Sequence, residues 1–173
     1  MSRKIHQEVL AALFAALCAV MTMVIQIPSP MQGYVNLGDC GVLLSAWILG
    51  PVYGGAAAGI GSMLADIFSG YAHYAPGTLV IKFLMAFSAG HIFRMAKERP
   101  AGRLAAQGLG GLASGTIMAG GYFLYASLWL GKGLAAAASI PGNIVQAAFG
   151  LIAAVMVYTV LEKGRVLARV PKK

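Results

Sequence analysis

Residues 34–82 read YVNLGDCGVLLSAWILGPVYGGAAAGIGSMLADIFSGYAHYAPGTLVIK, and this stretch decides how the rest of the chain is understood. It is almost wholly apolar and crowded with glycine and alanine, yet it holds three ionisable residues, Asp39, Asp66 and Lys82. A charge at bilayer depth costs roughly 2.5–3.5 kcal/mol even on the mild insertion scale. Something must compensate for all three. Gly50-Pro51 marks a break, because proline cannot continue a helix but suits its first turn.

The composition around this stretch agrees with a membrane setting. Of 173 residues, 59% are hydrophobic and only 10% charged, with a mean hydropathy of +0.77. Soluble domains carry about 25% charged residues. At ~20 apolar residues per crossing, the chain has room for about six helices and little else. The net charge of +8 could suggest nucleic acid, but its distribution argues against that partner. All but Lys82 and Lys132 of the 13 basic residues cluster in three places. Arg3 and Lys4 precede the first apolar run. Arg94, Lys97, Arg99 and Arg103 surround a middle connection, and Lys163, Arg165, Arg169, Lys172 and Lys173 form the tail. Short basic segments of this kind mark the cytoplasmic side. The expected fold is therefore an all-α, six-helix transmembrane bundle, one membrane domain over 1–173, with both termini cytoplasmic. Its expected place is a bacterial cytoplasmic membrane.

Helices are expected at about 8–27, 39–50, 51–68, 76–94, 104–130 and 140–161. The basic start resembles a signal peptide, but no clean cleavage site follows the first apolar run, so it reads as a retained helix. Pro28 and Pro30 stop that helix, and residues 28–38 read as a polar outer loop. On helix 1, Ala11, Ala15 and Ala19 repeat at four-residue spacing, with Ala12 and Ala16 alongside. Such stripes allow close approach of another helix, either within the bundle or on a separate protein. Residues 39–68 supply only ~45 Å of helix where two full crossings need about 60 Å, so helices 2 and 3 must be short or the bilayer thin.

The polar residues gather at the outer ends. Asp39 opens helix 2 and can serve as its N-cap. Asp66 ends helix 3, and Lys82 lies ~9 Å into helix 4, where it can snorkel to the surface or meet the two carboxylates. The three map to one depth and make a shared polar site. Around it fall Tyr34 and Asn36, the loop 69–77, which carries Tyr71, with His73 and Tyr74, and Tyr122, Tyr125 and Trp129 at i, i+3 and i+7 of helix 5. Those aromatics serve either as an interfacial belt or as a stacking wall for a flat ligand. Asn143 and Gln146 share one side of helix 6. The loop GKGLAAAAS precedes that helix, with Ser139 or Asn143 as its cap.

Catalytic patterns are missing. There is no HExxH, no nucleophile elbow and no cluster with metal-ligand spacing. Cys18 and Cys40 suggest neither a disulfide nor a metal site. Gly131-Lys132 lacks the first glycine and the Ser/Thr of a phosphate loop. No catalytic residue, cofactor or metal is expected. A small membrane enzyme acting on a lipid or prenyl group, with Asp39 and Asp66 as acid or metal site, stands as an alternative, as does a purely structural packing subunit.

The blocks NLGD (36–39), LLSAWILGPVYGGAAAGIGSMLAD (43–66), GYAHYAPGTLVIK (70–82) and PGNIVQ (141–146) together resemble the substrate-binding S components of energy-coupling-factor (ECF) vitamin importers. The resemblance implies an outward-facing pocket under the loops after helices 1, 3 and 5. It also implies partners: a membrane scaffold (T) subunit, two ABC-type ATPases and a small-molecule vitamin. In that family an alanine stripe on helix 1, here Ala11, Ala15 and Ala19, meets the scaffold, and the bundle topples to deliver its ligand. The likeness is greatest to pyridoxine- or hydroxymethylpyrimidine-type members, with riboflavin and thiamine types as alternatives.

Overall fold

The computed structural model describes residues 3–29, 33–96 and 100–169. Six α-helices run in order: α1 (Arg3–Val24), α2 (Gly38–Leu49), α3 (Pro51–Phe68), α4 (Ala75–Ala96), α5 (Pro100–Leu124) and α6 (Ile140–Lys163). Three helical stretches, Lys4–Val24, Ala75–Ala96 and Gly133–Lys163, are long and apolar enough to cross a bilayer by length and composition. Lys97, Arg99, Lys172 and Lys173 of the basic clusters lie outside the described residues.

α2 is the post around which the others stand. It has 12 residues, of which all but Ile48 are buried, and a helix apolar on every side belongs inside a bundle. Its core residues Val42, Leu43, Leu44, Ala46 and Trp47 pack with Ile81, Met85, Ala86 and Phe93 of α4 and with Met118 of α5. Glycine permits the closest approaches. At Gly150 of α6 a Cβ would stand 2.5 Å from the Cβ of Asp39, so α2 and α6 touch backbone to backbone there. Gly50 breaks the chain between α2 and α3 with φ +85°, a conformation that disfavours any side chain. The Arg94 guanidinium fills the space beside it.

Several elements differ from the sequence expectation. α1 ends at Val24, before Pro28, and most of the described part of the expected loop 28–38 is strand, Pro30 lying outside the described residues. Gln26–Ser29 (β1) and Gly33–Asn36 (β2) pair antiparallel, with Gln26 opposite Asn36 and Pro28 opposite Tyr34. Pro28 is tolerated because a two-stranded ribbon consists of edges. Asp39 does not cap α2. The cap position is Leu37, and the Asn36 side-chain oxygen accepts the Gly38 N–H at 2.7 Å. Helix 5 changes character at its outer end, where Tyr125–Trp129 form a π-helical turn. The expected loop before α6 is a 3₁₀ helix over Gly133–Ser139. Ser139 stands at the cap position of α6 without a capping bond, its hydroxyl donating instead to the Ala136 carbonyl.

The alanine lines on α1 also separate. Ala15 packs its backbone against Gly61 of α3, and Ala11 and Ala19 are half-buried beside it. Ala12 and Ala16 are exposed, on a face continued by Val9, Leu13 and Val20.

Candidate functional site

At the outer end of the bundle a cavity opens, with about 530 Å³ of empty space counted out through its open mouth. Each wall follows from local periodicity. Tyr34 and Asn36 are two apart on β2 and so face the same way. The α3–α4 turn brings Tyr71 and Tyr74, and Thr78 follows on α4. Tyr122 comes from α5, Ser139 from the 3₁₀ helix, and Asn143 and Gln146 from one side of α6. Asp66 enters from the last turn of α3.

Hydrogen bonds fix this lining. The Tyr34 hydroxyl donates to Asp66 Oδ1 at 2.6 Å. Burial pushes the Tyr34 phenol well above its ordinary range, and the neighbouring Asp66 carboxylate adds to the effect. Tyr34 is thus a fixed donor at any physiological pH. The Asn36 N–H donates to Gln146 Oε1 at 2.8 Å, tying the hairpin to α6. Thr78 and Tyr122 share a hydroxyl–hydroxyl bond of 3.0 Å. The rings of Tyr34 and Tyr71 lie 4.7 Å apart, and those of Tyr74 and Tyr122 6.3 Å apart, edge to face. Two polar atoms on the lining are buried without a partner among the described residues: Asp66 Oδ2 and Asn143 Nδ2.

Lys82 and Asp39 lie beneath the cavity. Lys82 Nζ pairs with Asp39 Oδ1, both side chains fully inside. The same ammonium lies 3.4 Å from Met118 Sδ and 5.7 Å from the centre of the Tyr122 ring. Lys82 therefore does not snorkel. Asp39 and Asp66 take different partners and do not form the carboxylate pair that an acid or metal site would use. No group of three or more His, Cys, Asp or Glu side chains able to hold a metal occurs among the described residues.

Of the residues singled out from the sequence, Tyr34, Asn36, Asp66, Tyr74, Tyr122, Asn143 and Gln146 come together on the cavity wall. His73, Tyr125 and Trp129 do not. His73 is exposed, with its carbonyl accepting the Tyr125 hydroxyl at 2.9 Å. Trp129 is 78% exposed, stacked on Tyr125 with ring centres 6.4 Å apart. Three lining residues were not assigned to the site from the sequence: Tyr71 of the 69–77 loop, Thr78, and Ser139, read as a cap. Thr78 was findable, since it sits one turn before Lys82 on the same face of α4.

A rim surrounds the mouth. Lys132 Nζ donates to the Tyr74 hydroxyl at 3.1 Å and sits 5.2 Å over the Tyr74 ring. Ala136 of the 3₁₀ helix is buried against the same tyrosine. The Gln26 amide reaches Ser69 Oγ at 2.8 Å, joining the hairpin to the end of α3.

Comparison with known proteins places this geometry. The family model "ECF-type riboflavin transporter, S component" matches residues 2–163. A curated protein of Pyrococcus woesei, described as an uncharacterized protein in the gap 3′ region, is 40% identical over 134 residues, covering 77% of this chain and 86% of its own. A solved structure described as the S component of a bacterial ECF transporter superposes with a TM-score of 0.67 at 18% identity. It covers 92% of this chain and 97% of its own, a likeness of fold.

Proposed function

Because the chain belongs to the ECF-type riboflavin transporter S-component family, we propose that it is the subunit that binds a small hydroxylated aromatic vitamin outside the cell and passes it inward. Pyridoxine or hydroxymethylpyrimidine is the favoured ligand, and a riboflavin- or thiamine-type ligand the second reading. The protein is a transport subunit integral to the cytoplasmic membrane, not an enzyme. Its partners in this reading are a scaffold subunit in the membrane and two ATPases, which supply the energy.

The observation that carries the proposal is the cavity itself. Four tyrosines stand around it beside hydroxyl and amide groups from Asn36, Thr78, Ser139, Asn143 and Gln146. Tyrosine gives a ring its stacking surface. The buried Asn143 Nδ2, unpartnered among the described residues, is suited to a ligand oxygen or ring nitrogen. Leaving such a donor unmet costs ~1–3 kcal/mol, which a bound ligand removes. Dense polar groups over so compact a space favour a single ring with several hydroxyls.

The test is to purify the protein in detergent and identify co-purifying small molecules by mass spectrometry. Pyridoxine, hydroxymethylpyrimidine, thiamine and riboflavin are then titrated. Tight binding of one of them without turnover supports the proposal; binding of none of them rejects it. Asn143→Ala is expected to weaken that binding about tenfold with the elution profile unchanged. Trp129→Ala, on an exposed ring away from the cavity, is expected to leave affinity within about twofold. The reverse pattern would move the site out to the π turn.

A further inference from the structure

The charges inside the bundle do not balance. Among the described residues the buried charged groups are two carboxylates, Asp39 and Asp66, against one ammonium, Lys82. Lys82 is committed to Asp39 and Met118. Asp66 is 5% exposed, takes one hydroxyl from Tyr34 and presents Oδ2 without a hydrogen-bond partner among the described residues. It is also the one charged side chain on the described cavity wall, where the other members are tyrosines, hydroxyls and amides.

Every group facing Asp66 bears on what it accepts. Tyr34 donates its neutral hydroxyl to Oδ1, and the neutral Thr78 hydroxyl lies nearby, bonded to Tyr122. Lys82 acts from beneath Tyr122, and His73 from the exposed turn. Lys132 lies at the rim on Tyr74, where water and salt screen its charge. The faces of tyrosine rings are themselves negative and attract cations. A carboxylate oxygen within a ring of tyrosines is an arrangement suited to positive charge.

From this we infer that the ligand binds as a nitrogen heterocycle whose protonated, cationic ring nitrogen donates to Asp66 Oδ2 while a hydroxyl or second ring nitrogen accepts from Asn143. This rests on the vitamin-binding reading and narrows it to rings that bind as cations. Ligands whose recognition depends on an anionic group, such as phosphate esters, are disfavoured by the same carboxylate.

The full chain in detergent tests this by calorimetric titration. The probes are whichever of pyridoxine and hydroxymethylpyrimidine binds more tightly, and its benzene counterpart with each ring nitrogen replaced by C–H. The expected result is a ten- to hundredfold weaker affinity (about the worth of a charge-assisted hydrogen bond) for the benzene counterpart on the wild-type protein. Asp66→Asn should weaken the heterocycle by a similar factor and erase the difference between the two probes. Equal binding of both probes by the wild type overturns the inference, as does a difference that survives in Asp66→Asn. So does tight binding of riboflavin alone. In those three cases the importer reading stands, whereas failure of all four vitamins to bind removes both. Should Asp66→Asn not fold, the two probes on the wild type decide.

Discussion

Replacing Lys82 by methionine is expected to destabilise the bundle by about 3–5 kcal/mol, because it leaves Asp39 charged and alone in the interior. Methionine matches the length of the lysine stem, so the loss measures the charge and not a void. The ion pair joins α2 to α4 under the cavity, and Gly150 presses α6 against Asp39 from the other side. There is therefore no room for α2 to move away and let water reach the carboxylate. The double variant Asp39→Asn, Lys82→Met removes both charges and should recover most of the loss, since a buried pair contributes little beyond an apolar or neutral replacement of similar shape. Thermal unfolding in detergent, followed by size-exclusion, reads both. A double variant as unstable as the single one would show that the lysine works by packing rather than by pairing.

The second large effect concerns partnership. In the S-component reading, α1 meets the scaffold through small residues that allow close helix approach. Ala15 faces inward, its backbone against Gly61, whereas Ala12 and Ala16 lie on the exposed face. Ala16→Trp is therefore expected to keep vitamin affinity within about twofold and to reduce uptake to background in cells that contain the scaffold and ATPases. Ala15→Trp is expected to fail earlier, with loss of folded protein, because the ring would be forced between α1 and α3. Normal uptake by Ala16→Trp would remove this face of α1 from the coupling surface.

Much of the framework was legible in the sequence for simple reasons. Gly50-Pro51 announced the break between α2 and α3, and the basic clusters announced which ends share a side of the membrane. The hairpin was not legible: its strands are four residues each, one contains Pro28, and no Asn-Gly turn advertises the reversal. Asp39 read two ways, as a cap or as a member of a polar site with Lys82, because an acidic residue at a helix start has two uses, and the fold selects the pairing with Lys82. Trp129 was assigned to the face of Tyr122 by counting sevens. That count holds in an unbroken α-helix, and the π turn at Tyr125–Trp129 resets the phase. The alanine stripe was ambiguous for a similar reason. Adjacent lines on one helix look alike until Gly61 on the neighbour selects one.

The shortness of α2 carries a consequence for where this protein can work. Twelve residues rise only ~18 Å, far less than the ~30 Å of a hydrocarbon core, and a lipid-facing helix of that length would pinch the membrane around it. α2 is instead sheathed by its neighbours, so acyl chains adjoin the longer α1, α4 and α6. Hydrophobic mismatch is then set by those outer helices. The cavity floor, built on the start of α2, keeps its depth whether the surrounding lipids are long or short.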